Sequence, residues 1–419
     1  MPDGCIQDCL ACGKCKDSKI LDTFLQYNVS DHVSDYSSDN VSKRLEQKTC
    51  AGLGIAADIG TTNIVLLLID LKNAKIITRH SFKNPQYIYG PDVISRIHAS
   101  NNGSLIEMQR LITESITIGI KTMLQSCNMH LNEQKFHIKK IKKNAGNNVK
   151  TDNQIKEIVI AGNTTMIHLL LGIPCDSLGV FPFKPVYSPI DSGFPDKLFG
   201  IPVRIIPWFT SFVGGDIMSG ILHLLPQKKK CFLLIDLGTN GEMAFYKNGK
   251  LTITSTAAGP VFESSAQQGG ASEVISELAN CVREKKIDET GLLEAETVFT
   301  QKQIRDLQLA KSAVRSGLEI ILEETGTDKH TVEAIYLAGG IGQAMDISDA
   351  VTIGLIPEEL SCKATAAGNT SLGGAVRLLL KPLCATEDIK VLSKGFKEIN
   401  LASHPRFNDL FMENMFFTI

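Results

Sequence analysis

Long apolar runs are missing from this 419-residue chain. Its longest, such as Ile64–Ile69, fall far short of the roughly 20 residues that cross a bilayer, and the first residues carry no basic segment followed by an apolar one. Membrane and exported proteins are set aside, and a cytoplasmic location is the expectation. A dominant charge is missing too: 43 Lys and Arg stand against 45 Asp and Glu, a formal net charge of −2. Nothing draws the chain as a whole to nucleic acid or to an anionic membrane. The nine histidines show no H-E-x-x-H or comparable ligand spacing, and no Ser-His-Asp array can be argued, so a hydrolytic metalloenzyme has no support. Neither G-x-x-x-x-G-K-[ST] nor G-x-G-x-x-G occurs, which removes the P-loop and Rossmann signatures. Trp208 is the single tryptophan, read as core, with a hinge or interface role as the alternative.

What is present suits a globular protein of two or more domains, with 43% hydrophobic and 21% charged residues. Eleven cysteines in a reducing compartment do not suggest a disulfide framework. Cys127, Cys175, Cys231, Cys281, Cys362 and Cys384 are isolated and expected in the core. Cys5, Cys9, Cys12 and Cys15 instead crowd into "GCIQDCLACGKC", a C-x3-C-x2-C-x2-C pattern. Four thiolates that close together suit one [4Fe–4S] cube, while tetrahedral zinc takes the same ligands. Unligated or externally paired thiols are the third reading.

The chain divides by composition. Residues 1–16 hold the cysteine tetrad, and 17–52 read as a Ser-, Asp- and Asn-rich linker. From Leu53, strands and helices alternate to about residue 385, an α/β pattern. A tail follows, in which Phe407, Leu410 and Phe411 share one face of a short docking helix. The basic run "HIKKIKKNAGNNVK" from His137 reads as a solvated insertion.

Within the long region the sequence repeats. "AADIGTTNIVLLLID" from Ala56 matches "LIDLGTNGEMAFY" from Leu234, and "KEIVIAGNTT" matches "EAIYLAGGIG" at nearly the same offset. Two matched pairs at near-constant spacing indicate an internal duplication. Ile304, Leu307, Val314, Leu318 and Ile321 mark a helix of the second half. Two similar lobes facing each other are the expected fold, lobe I over 53–225 and lobe II over 226–419.

A paired D-[IL]-G-T has a chemical use. Gly60 and Gly238 let the backbone turn tightly and bring N–H groups to an anion, while Thr61, Thr62, Thr239 and Asn240 add short donors. Asp58 and Asp236, at strand ends, suit a hydrated Mg²⁺ beside phosphates. Gly339, Gly340 and Gly342 follow a strand and clear a surface suited to adenosine.

This arrangement resembles the acetate and sugar kinase, Hsp70 and actin superfamily, whose ribonuclease-H-like lobes close on ATP. "NPQYIYGPDVISRI", "AGNTTMIHLLLGI", "FVGGDI", "STAAGPVFE", "YLAGGIG" and "AGNTSLGGA", in that order, look more specifically like the reductive activators of corrinoid proteins. The resemblance covers about residues 53–417 and implies an ATPase that passes one electron from an iron–sulfur cluster to a Co(II) corrinoid, restoring Co(I). It implies that Asp58, Gly60, Thr61 and Thr62 form the first phosphate motif, Asp236, Gly238, Thr239 and Asn240 the second, and Gly339 and Gly340 the adenosine motif. By the same resemblance Asn163, Thr164, Asp216 and Glu263 line the cleft; Glu263 is equally readable as a salt-bridged carboxylate beside a turn. The implied cofactors are ATP, Mg²⁺ and an iron–sulfur cluster, with zinc as the alternative at the tetrad. The implied partners are a corrinoid protein of a methyltransferase system and an electron donor for the cluster. A homodimer is compatible with this reading without being required by it. Two other functions fit the same motifs: an activator of another low-potential enzyme, or a small-molecule kinase or nucleotide-binding module with a zinc-binding tail. In place of the plant-ferredoxin-like domain common in the family stands the shorter cysteine tetrad.

Overall fold

A computed structural model describes residues 52–127, 155–186, 198–238, 240–259, 271–339 and 345–417. Two compact units are present, one formed by residues up to Pro207 with Ala375–Ala385, the other by Trp208–Gly374 with the residues from Thr386 onward.

The first unit is built on β1 (Leu53–Ile59), β2 (Asn63–Asp70), β3 (Lys75–Lys83), α1 (Val93–Ala99), α2 (Leu105–Ser126), β4 (Ile155–Gly162), α3 (Thr164–Leu171) and β5 (Val203–Ile205). Its sheet has the order β3-β2-β1-β4-β5, with β1–β2 and β2–β3 antiparallel and β1–β4 and β4–β5 parallel. β1 and β2 are near-continuous apolar runs because both faces of the sheet centre are covered. Met108, Ile112, Ile116, Ile120 and Met123 recur at helical spacing and bury one face of α2. Gly119 lets that helix approach closely: a Cβ there would stand 2.9 Å from Leu66 and 3.0 Å from Phe82.

The second unit contains α4 (Gly215–Leu224), β6 (Cys231–Leu237), β7 (Gly241–Lys247), β8 (Lys250–Thr256), α5 (Ala271–Arg283), α6 (Gln301–Glu324), β9 (Ala334–Ala338) and β10 (Ala364–Gly368). Toward the end of the chain come α7 (Thr370–Leu380) and α8 (Pro382–Lys394), of which Ala375–Ala385 belong to the first unit, and then β11 (Phe396–Ile399) and α9 (Phe407–Glu413). Its sheet runs β11-β8-β7-β6-β9-β10. Apart from the added edge strand β11, order and strand directions repeat those of the first sheet. The duplicated ribonuclease-H-like lobe expected from the sequence is therefore the architecture.

α6 starts at a capping box, in which Thr300 and Gln303 each satisfy the other's backbone N–H. Ile304, Leu307, Val314, Leu318 and Ile321 are all buried along it, as their spacing predicts. Each such side chain contributes about 1.5–3 kcal/mol of burial. Polar residues on the same helix hold the chain terminus. Gln308 Nε2 donates to Met415 O at 2.9 Å, Lys311 Nζ to Phe416 O and Ser312 Oγ to Phe411 O, while Asn414 Nδ2 donates to Ser316 Oγ at 3.1 Å. The tail is thus a docked helix, with Leu410 buried and Phe407 packed on the core.

Trp208 is buried, 4% exposed. Among the isolated cysteines, Cys175, Cys231 and Cys281 are buried, but Cys127 is only half-buried and Cys362 and Cys384 are exposed. Their expected place in the core is corrected for those three. Cys362 falls in the short helical turn Glu358–Lys363, and Cys384 in the exposed first turn of α8. A lone cysteine outside an apolar period carries no burial signal of its own. Among the described residues no helix is long and apolar enough to cross a membrane.

Candidate functional site

In the first unit the motif begins as β1 ends. Asp58 is half-buried and stands in register with Ala161 of the parallel strand β4, so the D-I-G-T turn and the A-G-N-T turn emerge side by side. Gly60 N donates to Asn63 O at 3.0 Å and closes the turn. Gly162 is the close-approach residue here, since a Cβ on it would lie 2.7 Å from Ile59 O. Asn163 caps α3, its Oδ1 accepting from Thr165 N at 3.0 Å, and Thr164 is fully buried. His168 Nδ1 lies 2.8 Å from Thr164 O. A carbonyl can only accept, so Nδ1 carries the proton. Burial lowers the His168 pKa and keeps the imidazole neutral.

The second unit repeats this geometry. Asp236 is half-buried on β6, in register with Ala338 of β9, and Gly238 N donates to Asn240 O at 3.0 Å. Gly339 directly follows β9, in the place that Gly162 takes as the last residue of β4. Its φ of 84° lies in the left-handed region, and a Cβ there would stand 2.5 Å from Asp236 Oδ1 and 2.7 Å from Leu237 O. Asp236, Gly238, Asn240 and Gly339 are thereby brought together. Asp216 sits in the first turn of α4, half-buried, with Oδ1 accepting from Ile217 N at 2.9 Å. Further along α4, Gly220 would place a Cβ 2.6 Å from Leu234 of β6, and Ser219 Oγ donates to Ser371 O at the start of α7.

Thr239, Glu263, Gly340 and the tetrad Cys5, Cys9, Cys12 and Cys15 lie outside the described residues. Among the described residues no three His, Cys, Asp or Glu side chains are grouped to share a metal ion.

Sequence reasoning missed two groups. Glu242 lies directly across the β6–β7 ladder from Asp236, 7% exposed, and paired residues share a face of the sheet. Its place two residues after Asn240 is a signal that strand pairing turns into a neighbour. Asn84, Gln86 and Arg96 are the other group, each fully buried. Asn84 Nδ2 donates to Gly60 O at 2.9 Å, and Arg96 donates from Nε to Gly90 O at 3.1 Å and from NH1 to Met166 Sδ at 3.2 Å. They belong to the "NPQYIYGPDVISRI" stretch, which the sequence singled out without a role.

Two ribonuclease-H-like units with matching D-[IL]-G-T turns define an actin-like protein of the acetate and sugar kinase class. Residues 230–275 and 276–419 match the C-terminal, actin-like (ASKHA) domain of RACo, and residues 53–141 and 131–228 match the RACo middle region. The chain belongs to this family of reductive activators of corrinoid proteins. It is similar to the corrinoid activation enzyme RamQ of Eubacterium limosum, 29% identical over 443 residues, covering 87% of this chain and 70% of RamQ. A [Co(II) methylated amine-specific corrinoid protein] reductase of Methanosarcina barkeri is 21% identical over 86% of this chain and 76% of its own. Among solved structures, a reductive activator for a corrinoid, iron–sulfur protein superposes with a TM-score of 0.73 at 26% identity, covering 88% of this chain and 67% of that one.

Proposed function

We propose that this protein reductively activates a corrinoid protein, using ATP to carry one electron onto Co(II) and return it to Co(I). The observation that carries the ATP part is the repeated strand-end geometry, in which Asp58 and Asp236 each precede a glycine turn and stand beside a parallel strand that ends in a close-approach glycine. Family membership and the named activities of the relatives support the corrinoid part.

The residues fit a nucleotide with Mg²⁺. Asp58 and Asp236 are half-buried carboxylates, able to hold a hydrated cation by accepting from its waters. Gly60, Thr61 and Thr62 in one turn and Gly238, Thr239 and Asn240 in the other offer N–H and short side-chain donors to phosphate oxygens. Gly339, with Gly340 after it, keeps the ground beside Asp236 free of side chains, as an adenosine or ribose needs. Asn163, Thr164, Asp216 and Glu263 are the further polar residues that the family resemblance assigns to nucleotide binding, and one of them orients the attacking water.

The four thiolates of Cys5, Cys9, Cys12 and Cys15 match the donor set of a [4Fe–4S] cluster, with zinc as the competing ion. A cluster held there supplies a single electron at low potential. ATP is needed because each ~59 mV of unfavourable one-electron potential difference costs a factor of ten in the equilibrium. A nucleotide-dependent change in the fit between activator and corrinoid protein would offset that cost.

The decisive experiment follows the cobalt spectrum. Candidate corrinoid proteins in the Co(II) state are mixed anaerobically with this protein, a low-potential reductant and MgATP. Co(I) should form only with ATP, and its protein partner should stimulate ATP hydrolysis. Equal Co(I) formation without nucleotide, or none with any partner, would count against the reading.

A further inference from the structure

Asn84 has every polar group engaged. Pro85 follows it and confines its backbone to the extended region, at φ −60° and ψ 118°. In that conformation Oδ1 accepts from Gln86 N at 3.0 Å, which leaves Nδ2 to donate to Gly60 O at 2.9 Å and to Met166 Sδ at 3.6 Å. The backbone N–H donates to Thr62 O at 2.8 Å, and the carbonyl accepts from Tyr87 N at 3.1 Å. The amide orientation is settled by these partners: a flip would set Nδ2 against the Gln86 N–H and Oδ1 against the Gly60 carbonyl.

One buried residue therefore holds two carbonyls of the first phosphate turn, those of Gly60 and Thr62. Peptide planarity carries the consequence. With the Gly60 carbonyl held toward Asn84, the trans Gly60–Thr61 peptide must aim the Thr61 N–H the opposite way. The Thr62 carbonyl fixes the Thr62–Asn63 peptide and its N–H in the same manner. Carbonyl oxygens repel phosphate and N–H groups attract it, so tying back the Gly60 and Thr62 carbonyls makes the opposite face of the turn more positive. Gly60 N and Asn63 O are already spent on closing the turn.

We propose that Asn84 is the positioning residue that sets the anion-binding polarity of the first phosphate turn, acting through the Gly60 and Thr62 carbonyls without itself touching the nucleotide. The inference rests on the reading of that turn as a phosphate site.

The test uses the full-length protein and compares binding of MgATP with binding of adenosine, which has no phosphates. Asn84→Ser keeps an acceptor for the Gln86 N–H but cannot reach the Gly60 carbonyl; Asn84→Asp keeps the shape and turns the donor into an acceptor. Met166→Leu is the control, because it removes the other partner of Nδ2 and leaves the turn alone. Loss of this one buried hydrogen bond should weaken MgATP binding about tenfold, with adenosine binding and the MgATP affinity of Met166→Leu unchanged. Unchanged MgATP affinity in a folded Asn84 variant overturns the inference, as does an equal loss of MgATP and adenosine. If neither Asn84 variant folds, the residue belongs to the core alone and the positioning role is overturned. A parent protein that binds no MgATP removes the phosphate-site reading and the inference with it, an outcome distinct from failure of the variants alone.

Discussion

Gly339 and Asp236 are packed so closely that a single methyl group on the glycine would come within 2.5 Å of the carboxylate oxygen Oδ1. The backbone at Gly339 also has φ 84°, which an L-residue reaches only with strain. Asp236 can keep its position only while residue 339 has no side chain.

Gly339→Ala should therefore act on both stability and chemistry. The left-handed conformation alone costs about 1–2 kcal/mol, and the contact forces Asp236 or the strand end to shift. ATP hydrolysis should fall at least about tenfold, since displacement of a positioned group costs that much or more. Hydrolysis at the parent rate, measured by phosphate release on folded protein, would show that Asp236 does not need its place.

The nucleotide and redox functions should separate by mutation. Asp236→Ala should abolish MgATP turnover while leaving the visible spectrum of a reconstituted cluster intact. Cys12→Ala should do the reverse. Unchanged iron content in Cys12→Ala would remove the tetrad from the redox reading, and Asp58→Ala applies the nucleotide test to the first unit.

Lys311 gives a pH signature. It is 1% exposed, donates to Phe416 O and lies 4.8 Å from the Phe417 ring centre. Burial, with Arg315 adding repulsion, pushes its pKa down to about 7. Below that pH both folded and unfolded chains carry the proton, and the folded state bears the full cost of a buried charge. Above it the unfolded chain binds the proton up to its ordinary value near 10.4 while the folded one has released it, so stability rises with pH. The unfolding midpoint of the parent, relative to Lys311→Met, should climb between pH 6 and pH 9. A constant difference across that window would show an amine titrating in its ordinary range.

Gly162 is the counterpart of Gly339 in the first unit, and Gly162→Val should be poorly tolerated. Its Cβ would press on Ile59 O at 2.7 Å and on the Ile59 side chain at 3.2 Å. Overpacking of this kind costs about 1–3 kcal/mol. Urea unfolding should show a lower midpoint; a midpoint equal to the parent's would mean that the strand ends yield without cost.

Much of this architecture is legible in the chain because its signals are local and doubled. The alternation of apolar runs gave the α/β class, and the repeated D-[IL]-G-T and A-G stretches gave the two lobes. The period of Ile304, Leu307, Val314, Leu318 and Ile321 located α6 within a few residues. Exposure of Cys362 and Cys384 was not legible, because burial of a lone residue depends on which neighbours the fold supplies. Asn84 was quoted as part of a motif but carried no visible purpose. Its partner Gly60 is 24 residues away, and their hydrogen bond exists only once β3 has turned back alongside β2.

By itself the sequence determined which residue types stand at each strand end: an aspartate, a glycine turn, and a second glycine at the end of the neighbouring strand's motif. Those choices follow from backbone rules that act over a few residues, where a tight turn needs glycine and a cation needs a carboxylate. Only the tertiary structure decided who touches whom. Parallel pairing sets Asp58 beside Ala161 and Asp236 beside Ala338, while antiparallel pairing puts Glu242 across from Asp236 and brings Asn84 onto the Gly60 and Thr62 carbonyls. Such contacts depend on strand register and sheet order, which join residues far apart in the chain.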